Sequence, residues 1–148
     1  MKRLTDEGTR SGDGAGSAVW TVQPHHIAAF GFTLSGAALY ERMSGRRRYV
    51  LCDESPLLDR LTTVALCLVL AAAAMAVVGA WMVQEKAPRH RAVPWVFLAV
   101  IAALIVTADG IDAYGEREAA AIAAQADSVG GCEEAAQIYV ATPGWFFW

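Results

Sequence analysis

Two long stretches of this chain contain no charged side chain: residues 61–84 and residues 92–108. Helices inside water-soluble proteins are seldom apolar on every side over such lengths, so this absence argues against an ordinary soluble domain. Cysteine is scarce too. Cys52, Cys67 and Cys132 are the only three, and they form no C-x-x-C pair and no cluster with histidine. That excludes the usual zinc, iron–sulfur and dithiol redox spacings. The chain also lacks a P-loop, a dinucleotide fingerprint, G-x-S-x-G and H-E-x-x-H. The expectation is therefore no enzyme, no cofactor and no metal. The formal net charge of −3 gives no basic excess for a nucleic-acid partner. Lysine is nearly absent beside ten arginines and abundant alanine, a composition that suggests a bacterial source with a GC-rich genome. Residues 1–17 have no apolar run behind a basic start, so no secretory signal peptide is expected there.

What is present is apolar and helical in pattern. The chain is 55% hydrophobic with a mean hydropathy of +0.34. Residues 1–17 read as a flexible Gly- and Ser-rich tail. Residues 18–40 carry no Asp, Glu, Lys or Arg, but Gln23, Pro24, His25 and His26 interrupt them. They are a candidate first transmembrane helix, with a surface-lying helix as the rival. Residues 41–56 read as a basic loop ending at Ser55-Pro56, a suitable helix start. Residues 57–83 are the clearest transmembrane helix, whose uncharged part from Leu61 to Val83 is about 34 Å long against a ~30 Å hydrocarbon core. A short polar loop, 84–91, follows, flanked by Trp81 and Trp95 as at a lipid interface. Residues 92–113 form the second transmembrane helix. Residues 114–130 form a polar, Ala-rich helix that can continue the second one, and 131–148 are a C-terminal tail. The expected fold is thus an all-α integral membrane protein: a transmembrane helical hairpin of two spans, a candidate third at the N-terminal side, and a polar C-terminal helix.

Small residues recur every fourth position at Ala72, Ala76 and Ala80, and again at Ala99, Ala103 and Thr107. Such stripes let helix backbones approach closely, so they are candidate packing positions, either between the two helices or between copies of the chain. Asp109, Asp112 and Glu116 share one helical face where the second apolar run ends. Asp109 lies about 23 Å from Pro94 by helical rise, near the inner edge of the hydrocarbon. These acids can simply end the span in water. Alternatively, Asp109 can face another helix as a proton or polar site, paired with Arg60, since acids inside a membrane are functional suspects. Arg46, Arg47 and Arg48 are candidates for lipid headgroup contact. The helix from 115 to 129 carries Ala119, Ile122, Ala123, Ala126 and Val129 along one side, suited to a partner helix or the membrane surface.

Basic residues near span ends set orientation. The segment 41–60 has five arginines against three basic residues in 84–91, so 41–60 and 109–148 are expected in the cytoplasm of a multi-pass protein of the bacterial inner (plasma) membrane. Cys52 and Cys132 then share the reducing side. A disulfide between them is expected only if the orientation is reversed.

The function these features suggest is a non-catalytic accessory or assembly subunit, with the lipid bilayer and other membrane proteins as partners. A homo-oligomeric pore or membrane-disrupting effector is one alternative. A role in a membrane redox or proton pathway through His25, His26 or Asp109 is another.

Overall fold

The computed structural model describes residues 22–45, 47–86, 92–128 and 137–141. Three helices and two short strands follow in the order α1 (Pro24–Met43), β1 (Arg47–Leu51), α2 (Pro56–Lys86), α3 (Val93–Ser128) and β2 (Gln137–Ala141). Prolines open the helices where a missing amide costs nothing: Pro24 and Pro56 are first residues and Pro94 is second. At the head of α1 the Gln23 amide donates to His26 Nδ1 (3.3 Å), half of a reciprocal cap. Its end is tied by the Ser44 amide and hydroxyl, both donating to the Tyr40 carbonyl at 3.0 and 2.9 Å. At α2 the Ser55 carbonyl accepts from the Leu58 amide (3.1 Å), and the Ser55 amide donates to Gln137 Oε1 of β2 (2.9 Å).

α2 and α3 run antiparallel. Gly79 lies against the Phe97 ring near their joined ends, and Leu61 approaches Gly115 at the other end. α1 packs along both, parallel to α3: Gly31 meets Ala76 and Ile101, and the Ser35 hydroxyl donates to the Val69 carbonyl (3.5 Å). Ile27, Ala65, Val69, Ala72, Ala76, Val83, Ile101, Ile105 and Ala108 form the buried core between the three helices. Its α2 side is made largely of alanine, which keeps the backbones close. Large apolar side chains point outward instead, among them Phe32, Leu70, Val77, Trp81, Trp95 and Val96. α2 and α3 are long and apolar enough to cross a membrane. α1 is 20 residues, about 30 Å, long.

The expectation of an all-helical chain is corrected by a two-stranded antiparallel sheet. β1 falls within the expected basic loop and β2 within the expected tail, with Tyr49 opposite Tyr139 and Leu51 opposite Gln137. Each strand has only five residues, and its pairing partner is some ninety positions away, so no local pattern announces it. α3 runs without a break from the second expected span, 92–113, into the polar helix 114–130. Nothing breaks the helix there: Gly110 and Gly115 are its glycines and no proline intervenes. Beneath the sheet a second core forms from Leu51, Leu58 and Ala119, with Tyr49, Leu61, Ile122, Ala123 and Tyr139 packed against it. The apolar side of the α3 extension is therefore covered in part by the protein's own sheet.

Candidate functional site

The polar residues converge at one place, where α1 ends, α2 begins and α3 leaves the helical core. Asp112 and Glu116 are one turn apart on α3 and so project from the same side. α1 delivers Arg42 in its last turn, and β1 delivers Arg47 and Tyr49. Arg42 Nη2 donates to Asp112 Oδ2, and both side chains are nearly buried, 13% and 11% exposed. Arg42 Nε is buried and has no hydrogen-bond acceptor among the described residues. Glu116 is buried as well. Its Oε1 accepts from Arg47 Nη1 at 2.9 Å and from the Tyr49 hydroxyl at 3.2 Å. Arg47 itself is 69% exposed, and the hydrogen bond and charge of Glu116 reinforce its protonated form.

The sheet register places Tyr139 beside Tyr49 over this cluster. Its hydroxyl lies where a side chain at position 115 would begin, 2.7 Å from an added Cβ, so Gly115 makes the room it occupies. Burial pushes the Tyr139 hydroxyl up, with smaller upward contributions from Asp112 and Glu116. Gln137 fastens β2 to the start of α2, its Nε2 donating to Asp59 Oδ1 (2.9 Å). The assembly is a polar lock joining all five elements. Its acids accept hydrogen bonds from arginines and a tyrosine.

The sequence-derived candidates distribute as follows. Asp112 joins Arg42, seventy positions away. Asp109 is half-buried one turn nearer the helical core, and Arg60 is exposed near the start of α2 without an ion pair among the described residues. Ala72 and Ala76 are buried in the helical core and Ala80 is half-buried. Ala99, Ala103 and Thr107 are exposed on α3, and the Thr107 hydroxyl donates to the Ala103 carbonyl (2.8 Å). The core-facing positions of α3 are Ile101, Ile105 and Ala108. Arg48 is exposed, and Arg46 lies outside the described residues.

His25 and His26 stand edge to face with ring centres 4.2 Å apart, while His90 lies outside the described residues. Among the described residues no group of His, Cys, Asp or Glu could hold a metal ion. Tyr49, Tyr139 and Gln137 went unread in the sequence. The usable signal was the alternation of RRYVL and QIYVA, which puts one tyrosine of each on the same face.

Cys67 is free and exposed, whereas Cys52, immediately after β1, is disulfide-bonded. Cys132 lies outside the described residues. No family model, curated protein or solved structure matches the chain.

Proposed function

We propose that this protein is a non-catalytic accessory or assembly subunit that resides in a bacterial plasma membrane as a multi-pass protein. The observation that carries the reading is the outward apolar surface of its helices. Only 22% and 28% of the most apolar windows of α2 and α3 are buried within the protein. A soluble core helix would be covered over most of its length, whereas lipid or partner helices satisfy such a surface. α1 packs against Ala76 and Ile101, within the uncharged stretches of the other two, which supports it as a third crossing helix. Asp112 and Glu116 are engaged with Arg42 and Arg47, which suits a structural lock better than a reaction centre.

Two outward features support contact with other subunits. The exposed stripe of Ala99, Ala103 and Thr107 offers α3 a close approach to another helix. Val50, Ile138 and Val140 leave one face of the sheet apolar and exposed. Exposed Arg48 and Arg47 suit anionic headgroups, at roughly 1 kcal/mol per basic residue near the surface. The arginine count of 41–60 favours a cytoplasmic sheet end, and the bonded state of Cys52 opposes it. Crosslinking in native membranes followed by mass spectrometry should recover a stoichiometric membrane partner. Recovery of a lone monodisperse monomer after gentle detergent extraction counts against this reading.

The same α3 stripe favours one second reading, a homo-oligomeric pore or membrane-disrupting effector, with Asp109 near the conduction path. Overexpression should then depolarise cells, and Asp109→Asn should alter conductance; an undisturbed membrane potential removes it. A membrane redox or proton pathway through His25, His26 or Asp109 is a third, and a purified sample without Soret absorbance or bound metal removes its redox half.

A further inference from the structure

We infer that the sheet end of this protein faces an oxidising, extracytoplasmic space, with residues 1–17 and the segment 84–91 in the cytoplasm. The inference rests on the reading of α1, α2 and α3 as membrane-crossing helices, and it reverses the orientation expected from the arginines of 41–60. One observation supports it, and a second weakens the arginine count that opposes it.

The first is covalent. Cys52 is disulfide-bonded and Cys67 is free. With three cysteines in the chain, Cys132 is the one intrachain partner left. The β1–β2 register sets Leu51 opposite Gln137, so Cys52 stands immediately past the paired strands. Forming the bond removes two protons and two electrons from two thiols. A thiolate of this chain attacks a protein disulfide of the thiol–disulfide oxidoreductase class. The second thiolate then attacks the mixed disulfide at this chain's sulfur and displaces the oxidant's, which leaves as a dithiol. Such oxidants act outside the bacterial cytoplasm, where the glutathione and thioredoxin systems do not reverse the product.

The second observation concerns the arginine rule. A hairpin of two helices would put residues 1–17 on the sheet side. With α1 crossing alongside the others, they fall on the side of the segment 84–91. Lys2, Arg3, Arg10, Lys86, Arg89 and Arg91 then stand on one side. Arg42, Arg46, Arg47, Arg48, Arg60 and Arg117 stand on the other. Lys2 and Arg3 stand too far before Pro24 to count in the bias that sets orientation, so the sheet side keeps a narrow excess. Two of its arginines, Arg42 and Arg47, have structural employment, bound to Asp112 and Glu116.

The test uses the full chain in native membranes of a bacterial host. After acid quenching, denatured protein is labelled with a maleimide before and after reduction and weighed. One label before reduction and three after are expected. In parallel, alkaline phosphatase fused after Trp148 should be active and a green fluorescent protein fused there should stay dark. Three labels before reduction, or a fluorescent fusion with inactive phosphatase, overturns the orientation. Those results in a membrane-bound chain leave the membrane reading standing, whereas a chain that stays soluble without detergent removes both.

Discussion

Arg42, in the last turn of α1, is ion-paired with Asp112 in the middle of α3, and both side chains are almost out of solvent. This pair clamps α1 to α3 at the end where the helical core gives way to the sheet. Removing one member strands the other as an uncompensated charge. Arg42→Met or Asp112→Leu alone should therefore cost about 3 kcal/mol or more, while the double variant should recover much of the loss. Thermal unfolding of the four proteins in one detergent checks this, and equal losses in single and double variants would contradict it.

Glu116 and Arg47 form a contrasting pair because Arg47 is mostly exposed. Arg47→Ala should cost under about 1 kcal/mol, as for surface pairs, and the cost should shrink with added salt. Glu116→Ala should cost more, roughly 2 kcal/mol, because Glu116 is buried and the change also strips the half-buried Tyr49 hydroxyl of its acceptor. Denaturation at low and high ionic strength separates the two.

Gly31 and Gly36 lie five residues apart on α1 with opposite surroundings. A side chain at Gly31 would drive into Ala76, whereas one at Gly36 meets nothing within 4 Å. Gly31→Val should lower stability by about 1–3 kcal/mol through overpacking. Gly36→Ala should leave stability unchanged or raise it by ~0.5 kcal/mol, since glycine is a poor interior helix residue. Comparing their melting temperatures with the parent tests whether α1 docks where the structure puts it.

Tyr139 supplies an alkaline pH dependence. Its folded value lies above that of an unfolded tyrosine, near ~10, because the hydroxyl is buried. The folded state thus holds this proton longer than the unfolded one. The associated stability is present below about pH 10 and is lost as pH rises through the folded value. Tyrosinate absorbance should show a late-titrating component that disappears in Tyr139→Phe, and the variant should lose less stability with rising pH than the parent.

The residues of the polar lock were only partly legible. The spacing of Asp112 and Glu116 announced a shared face, and Arg42 and Arg47 stood out as basic. Which base met which acid did not, since the one pairing the sequence suggested was Asp109 with Arg60. Sequence spacing within a helix fixes direction, but partners on another helix depend on the depth at which the two helices pack. The stripe Ala99, Ala103 and Thr107 teaches the same point. Its periodicity was real, yet α3 turns Ile101, Ile105 and Ala108 inward instead.

By itself the sequence determined what is local. Uncharged runs bounded by Pro56 and Pro94 made α2 and α3 long apolar helices, and a proline-free, Ala-rich continuation could extend α3. Tertiary structure decided what depends on separation along the chain. It laid interrupted α1 against the other two through Gly31, paired β1 with β2, and joined Arg42 to Asp112 and Arg47 to Glu116. The physical reason is that helix formation is governed by neighbours within a turn, whereas a five-residue strand or a buried charge is stable only after a distant partner has arrived.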